Sequence, residues 1–193
     1  MEMGDMRKIS LFVALAALLM LAPALYAQDH VEVGVFADWT RLSTGNIDKN
    51  YVGVGGRVGF NVNRHATIEA EGTWDPNRAI TFVSNTGGVL NTYSTDLHLV
   101  NFMAGPKFQT SGPVRIFATV KGGLLNFNYG NNSFTSQVNG VPDGGTHGVL
   151  YPGGGLEAYL GPIGLRVDVG DEIYFSNGAH NNLKVSAGPT FRF

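Results

Sequence analysis

Ile163-Gly-Leu-Arg-Val-Asp-Val-Gly170 alternates without a break. Ile163, Leu165, Val167 and Val169 fall on one side, and Gly164, Arg166, Asp168 and Gly170 on the other. Period two is the signature of an extended strand with unlike faces. The polar side holds one cation, one anion and two residues without side chains. Such a face suits a confined space in which ions pair and glycines make room. The apolar side suits a medium without water.

The same pattern recurs along the chain. Val31, Val33, Val35, Ala37 and Trp39 alternate with Glu32, Gly34, Phe36, Asp38 and Thr40. Alternation continues through residues 51–62, 67–74, 95–108, 114–128, 149–160 and 183–193. In the fourth segment Leu97 and Leu99 are out of phase with Val100, Phe102, Ala104, Pro106 and Phe108, which predicts a bulge nearby. Eight segments result, each near the ~9–11 residues that cross a bilayer as a tilted strand. An even number of antiparallel strands closes into a barrel without edges.

The connections alternate in length. Residues 63–65, 109–112 and 161–162 are short; 41–50, 75–94 and 130–148 are long, and 176–182 is intermediate. Short turns at one end and longer loops at the other are the asymmetry of a membrane barrel. A soluble up-and-down barrel shares this alternation, so the faces must arbitrate. The polar face carries Glu32, Asp38, Glu69, Glu71, Glu157, Asp168 and Glu172, against Arg57, Lys107, Arg115, Lys121, Arg166, Lys184 and Arg192. Seven acids face seven bases, a balance that allows pairing across a narrow lumen. Phe36, Met103 and Phe117 share that face. Aromatic residues gather at segment ends, with Phe60, Phe108, Tyr159 and Phe193 at the short-turn side and Trp39, Tyr51, Trp74, Tyr93, Phe127, Tyr129, Tyr151 and Phe175 toward the other. Two such belts mark membrane interfaces. The expectation is an all-β, eight-stranded, antiparallel transmembrane barrel.

Composition agrees. Of 193 residues, 15% are charged and 27 are glycine, with no cysteine and a net charge of −2. Lack of a basic surplus argues against nucleic acid. Lack of cysteine excludes a disulfide-stapled module. Residues 11–22 form a short apolar run after Arg7 and Lys8 and before small Ala27. That is the pattern of a secretory signal over residues 1–27, with Ala24 as a competing cleavage point and Met6 as a competing start. Residues 28–193 then form the barrel domain.

The last eleven residues, Leu183-Lys-Val-Ser-Ala-Gly-Pro-Thr-Phe-Arg-Phe193, resemble the terminal strand of bacterial outer-membrane barrels. Residues 29–193 as a whole are similar to the small outer-membrane β-barrel family that includes the barrel domain of outer-membrane protein A and the opacity proteins. The resemblance implies that Gly188, Phe191 and Phe193 are an assembly signal read by the barrel-insertion machinery. It implies outer-membrane lipid as the surroundings. Pro106, Pro152 and Pro189 depart from the pattern, since each lacks a ladder donor, and predict bulges or local breaks.

Catalytic and metal motifs are missing. His30, His65, His98, His147 and His180 show no ligand spacing. Asp143-Gly-Gly reads as a turn, and Gly153-Gly-Gly155 has no following lysine to make a phosphate loop. Tyr174-Phe-Ser-Asn177 has the outline of a lipid A deacylase site, but Tyr174 stands where those enzymes have the histidine base. The reading is therefore a non-enzymatic structural or surface-interaction barrel without cofactor or metal. Its lumen is plugged by paired charges, and residues 75–94 and 130–148 are offered to a surface ligand. The alternatives are a small-solute pore, or a hydrophobic-solute transporter opening laterally at the prolines.

Overall fold

A computed structural model describes residues 30–44, 47–86, 89–130 and 144–193. The proposed leader, residues 1–27, and most of the 130–148 connection lie outside the described residues. Eight strands follow one another: β1 Val31–Thr44, β2 Ile47–Asn63, β3 Ala66–Thr86, β4 Val89–Gln109, β5 Val114–Tyr129, β6 Gly145–Leu160, β7 Ile163–Phe175 and β8 Ala179–Arg192. Every neighbour is antiparallel, and β1 pairs with β8 to close the barrel. The seam is reinforced at the chain end, where the Phe193 carbonyl accepts from the amides of His30 and Val31 at 2.8 and 3.1 Å.

The barrel is inside out relative to a soluble protein. Val35, Phe60, Phe102, Phe108, Ile116 and Leu165 each expose more than half of their surface outward. Charged residues of the same strands, such as Glu69, Lys107, Lys121 and Arg166, are buried inward. A continuous exposed apolar band of this kind requires a non-aqueous surround.

Glycine creates the interior space. Phe36 lies over Gly55, Tyr159 over Gly164 and Tyr151 over Gly170, in each case where an added Cβ would strike the ring. An aromatic ring covering a glycine on the next strand fills the lumen without pushing the strands apart.

One sequence expectation is corrected here, and two are made specific. Residues 41–50 and 75–94 are mostly paired strand, not loop: Thr44 partners Ile47, and Thr86 partners Val89. The β-branched runs on either side of residue 87 favour extension, so β3 and β4 rise as a long hairpin. Leu97 and Leu99 cause no bulge in β4; they point inward in step with Asn101 and Met103. The irregularity lies opposite them in β3, between Asp75 and Arg78, where Pro76 cannot donate. At Pro106, Pro152 and Pro189 the partner register is interrupted on one edge but resumes unchanged, as in Ala104 with Gly122 and Lys107 with Thr119. The prolines therefore cost local contacts and do not shift a strand.

Candidate functional site

Alternation aims the charged residues of all eight strands at one axis, and there they interlock. Glu69 accepts from Arg166 Nη1 and Nη2 at 2.5 and 3.1 Å and from Lys121 Nζ at 2.6 Å. Lys121 also reaches Glu71 at 2.6 Å. Lys107 bridges Glu32 at 2.7 Å and Glu157 at 2.8 Å. Arg166 Nη2 reaches Asp168 at 2.6 Å, and Arg57 lies 3.6 Å from the same carboxylate. Arg115 contacts Glu32 at 3.4 Å. Five acids and five bases thus form one network across β1, β2, β3, β4, β5, β6 and β7. Lys107 and Lys121 retain no exposed surface. Phe36 and Phe117 sit beneath Arg57 and Arg166, with guanidinium-to-ring distances of 4.1 Å.

The two ends of the lumen differ. Toward the short turns, Arg115 and the half-buried Arg192 stack on Tyr159 at 5.2 and 4.2 Å. Toward the long hairpins, Lys184 lies 3.3 Å from Glu172, which also accepts from Asn101 at 2.5 Å. Asp38 and Asp75 are buried at this level. Above them the lumen turns apolar: Leu42, Ile80, Leu97, Leu99, Leu125, Phe127, Tyr129, Val149 and Tyr174 form a buried cluster with Tyr51, Met103 and Tyr151. This apolar cluster is not among the sequence expectations. Four of its aromatic members, Tyr51, Phe127, Tyr129 and Tyr151, are expected in an outer belt from the sequence but face inward.

Tyr159 is likewise not an interface aromatic. It is 8% exposed and points inward, because it lies two residues from the inward Glu157 and so shares its face. Trp74, Phe60 and Phe108 do face outward, and Trp39 and Phe193 are partly exposed. Gly188 packs against β1, where an added Cβ would meet the Val35 carbonyl and lie 2.6 Å from Phe36 Cα. Phe191 is partly exposed and pairs with Val33 and Ile163.

At the hairpin end outside the apolar band, Arg41 donates Nε and Nη2 to Asp48 at 3.1 and 2.9 Å. Those hydrogen bonds hold the Asp48 carboxyl below its usual range. The Tyr174–Asn177 segment offers no catalytic pair: Tyr174 is buried and stacks on His180, while His180 Nε2 contacts the Ser176 backbone oxygen at 2.9 Å.

The sequence matches the family described as outer membrane protein beta-barrel domain over residues 10–191. The chain belongs to this family. It is a bacterial outer-membrane protein, seated in the lipid bilayer, with short turns facing inward and hairpins facing outward as such barrels have them. Among solved structures, Neisserial surface protein A aligns with TM-score 0.58 at 14% identity, over 84% of this chain and 97% of that one. The attachment invasion locus protein Ail of Yersinia pestis, in complex with the heparin analogue sucrose octasulfate, aligns with TM-score 0.52 at 15% identity, over 86% and 97%. OprG of Pseudomonas aeruginosa aligns with TM-score 0.51 at 10% identity, over 86% and 96%. At these identities the likeness is one of fold. No curated relative matches the sequence.

Proposed function

We propose that this outer-membrane protein is a closed, non-enzymatic barrel whose outer hairpins meet a partner at the cell surface. One observation carries the closed state. Lys107 and Lys121, in mid-lumen, have no exposed surface; Lys107 holds carboxylates of β1 and β6, and Lys121, on β5, holds two carboxylates of β3. An eight-stranded barrel is just wide enough for its side chains to fill it. The apolar cluster above the ion network closes the outer end a second time. This arrangement favours plugging over a pore. The unchanged register at Pro106, Pro152 and Pro189 weighs against a lateral exit.

The outer connections support the surface role. Residues 41–50, 75–96 and 130–148 hold three bases, Arg41, Lys49 and Arg78, against the exposed acids Asp48 and Asp96, the buried Asp75, and Asp143, which lies outside the described residues. Asn, Thr, Ser and Gly make up much of the rest. Such surfaces bind through hydrogen bonds more than through net charge. The sulfated ligand seen with Ail is therefore a poor model for this chain, since Arg41 is already engaged by Asp48. Gly188, Phe191 and Phe193 serve as the assembly signal, and residues 1–27 as the export signal, in the same reading.

Trimming the β3–β4 hairpin back to the level of Trp74, and separately deleting residues 131–143, tests the surface role. Binding of cells displaying the barrel to host or abiotic surfaces falls in at least one variant, while heat-dependent gel mobility still reports a closed barrel. Unchanged binding in both variants contradicts the proposal.

A further inference from the structure

We propose that Asp38 and Asp75 form a binding site for a hard cation of the calcium class at the outer end of the lumen. Asp38 on β1 partners Gly53 on β2, and Asp75 on β3 follows Trp74, the partner of Val54. The three residues stand at one level of three adjacent strands, with the glycine in the middle. Asp38 is 2% exposed and Asp75 is 4% exposed. The Oδ1 atom of each has no hydrogen-bond partner among the described residues.

Both oxygens are aimed at the space over Gly53. A Cβ placed there would lie 2.8 Å from Asp38 Oδ1, 2.7 Å from the Trp74 carbonyl oxygen and nearer still to Asp75 Oδ1. Three oxygens converge on one spot, and only glycine leaves it open. Tyr51, two residues along β2 on the same inward face, is fully buried with its hydroxyl also unpartnered.

Charge points the same way. The ion network below is balanced, five against five. At this upper level Asp38, Asp75 and Glu172 share one base, Lys184, which lies against Glu172 at 3.3 Å and Thr73 Oγ1 at 3.4 Å. Arg41 and Arg78 of the neighbouring strand ends are exposed, and Arg41 is held by Asp48. Three buried carboxylates that share one base leave uncompensated negative charge, which is costly, and a cation between Asp38 and Asp75 removes that cost. All available donors are oxygens, which selects a hard ion over a soft metal. No group of three or more His, Cys, Asp or Glu fit for a metal occurs among the described residues. The remaining coordination therefore falls to neutral oxygens such as the Trp74 carbonyl. Pro76, Asn77 and Arg78, at the β3 irregularity beside Asp75, are exposed.

The chain's two tryptophans, Trp39 and Trp74, are the sequence neighbours of Asp38 and Asp75. They make terbium a direct probe, because bound Tb3+ emits on energy received from a nearby indole. Titrating the full barrel, folded in detergent, with Tb3+ gives saturable sensitised emission that Ca2+ displaces. In Asp75→Asn, Tb3+ affinity drops by at least about tenfold, because affinity follows ligand charge count. Ca2+ raises the temperature of the heat-dependent mobility shift in the wild type relative to EDTA, and not in Asp75→Asn. Asp38→Asn provides a second variant, and the wild-type titration decides alone if neither folds. Absence of saturable emission from the wild type overturns the proposal. So does emission that both variants leave unchanged. Absent emission together with an Asp75→Asn variant more heat-resistant than wild type assigns the neutralising role to a proton instead.

Discussion

Glu69 shows why the lumen is built from pairs. It sits between Arg166 and Lys121, within 2.6 Å of each, and 3.9 Å from Lys107. Enclosed in this way, a carboxylate is tolerable only because three cations surround it, and each cation is tolerable for the same reason. Removing one charge is then worse than never having had the pair. Glu69→Gln should destabilise the folded barrel by ~3–5 kcal/mol, measured as a shift in urea unfolding in detergent. Arg166→Met, which also strips Glu157 and Asp168 of a partner, should cost at least as much. A neutral result for both would mean that water reaches the network. The charged residues of this site were legible in the sequence because period two placed them on one face. Asp75 was not, because Pro76 ends the clear alternation and hid the residue in an apparent loop. Tyr159 was legible and misassigned: its spacing from Glu157 places it inward, whereas its position near a strand end suggested the belt.

At the scale of the strand, glycine and proline decide how closely neighbours approach. Gly188 precedes Pro189 on β8, and Gly105 precedes Pro106 on β4. In both places an added Cβ would collide with the backbone of the next strand, Val35 and Phe36 in one case, Val120 and Lys121 in the other. Proline removes a ladder donor, and the adjacent glycine lets the strands close in despite it. Gly188→Val should therefore disrupt the β1–β8 seam, seen as loss of the heat-modifiable band and increased protease sensitivity. Gly56→Val, on the lipid-facing side where an added Cβ would make only an ordinary contact with the Gly34 carbonyl oxygen at 3.8 Å, should keep that band. Equal behaviour of the two variants would contradict the steric account. Strand number and order followed from the sequence, but strand length did not. Ile80–Thr86 and Val89–Thr95 are rich in β-branched and polar residues, which read equally well as loop when no apolar medium enforces alternation. The inward apolar cluster is not legible in the sequence for a related reason. Leu42, Leu97, Leu99 and Leu125 lie on the inward face, where the lower strands carry ions.

Across the whole molecule, two kinds of interior are stacked in one barrel. The lower lumen is held by ion pairs, as the polar interior of a membrane barrel allows. The upper lumen, within the strand extensions, is packed with leucine and aromatic side chains, as in a water-soluble core. In the proposed closed state each layer obstructs passage, so neither a single charge removal nor a single apolar truncation should open a channel. The proposed closed lumen is tested most directly by single-channel recording in a planar lipid bilayer. The folded wild-type barrel, inserted at measured density, should give no conductance above lipid leak at any salt concentration tried. Discrete, reproducible channel openings from the wild type would contradict it.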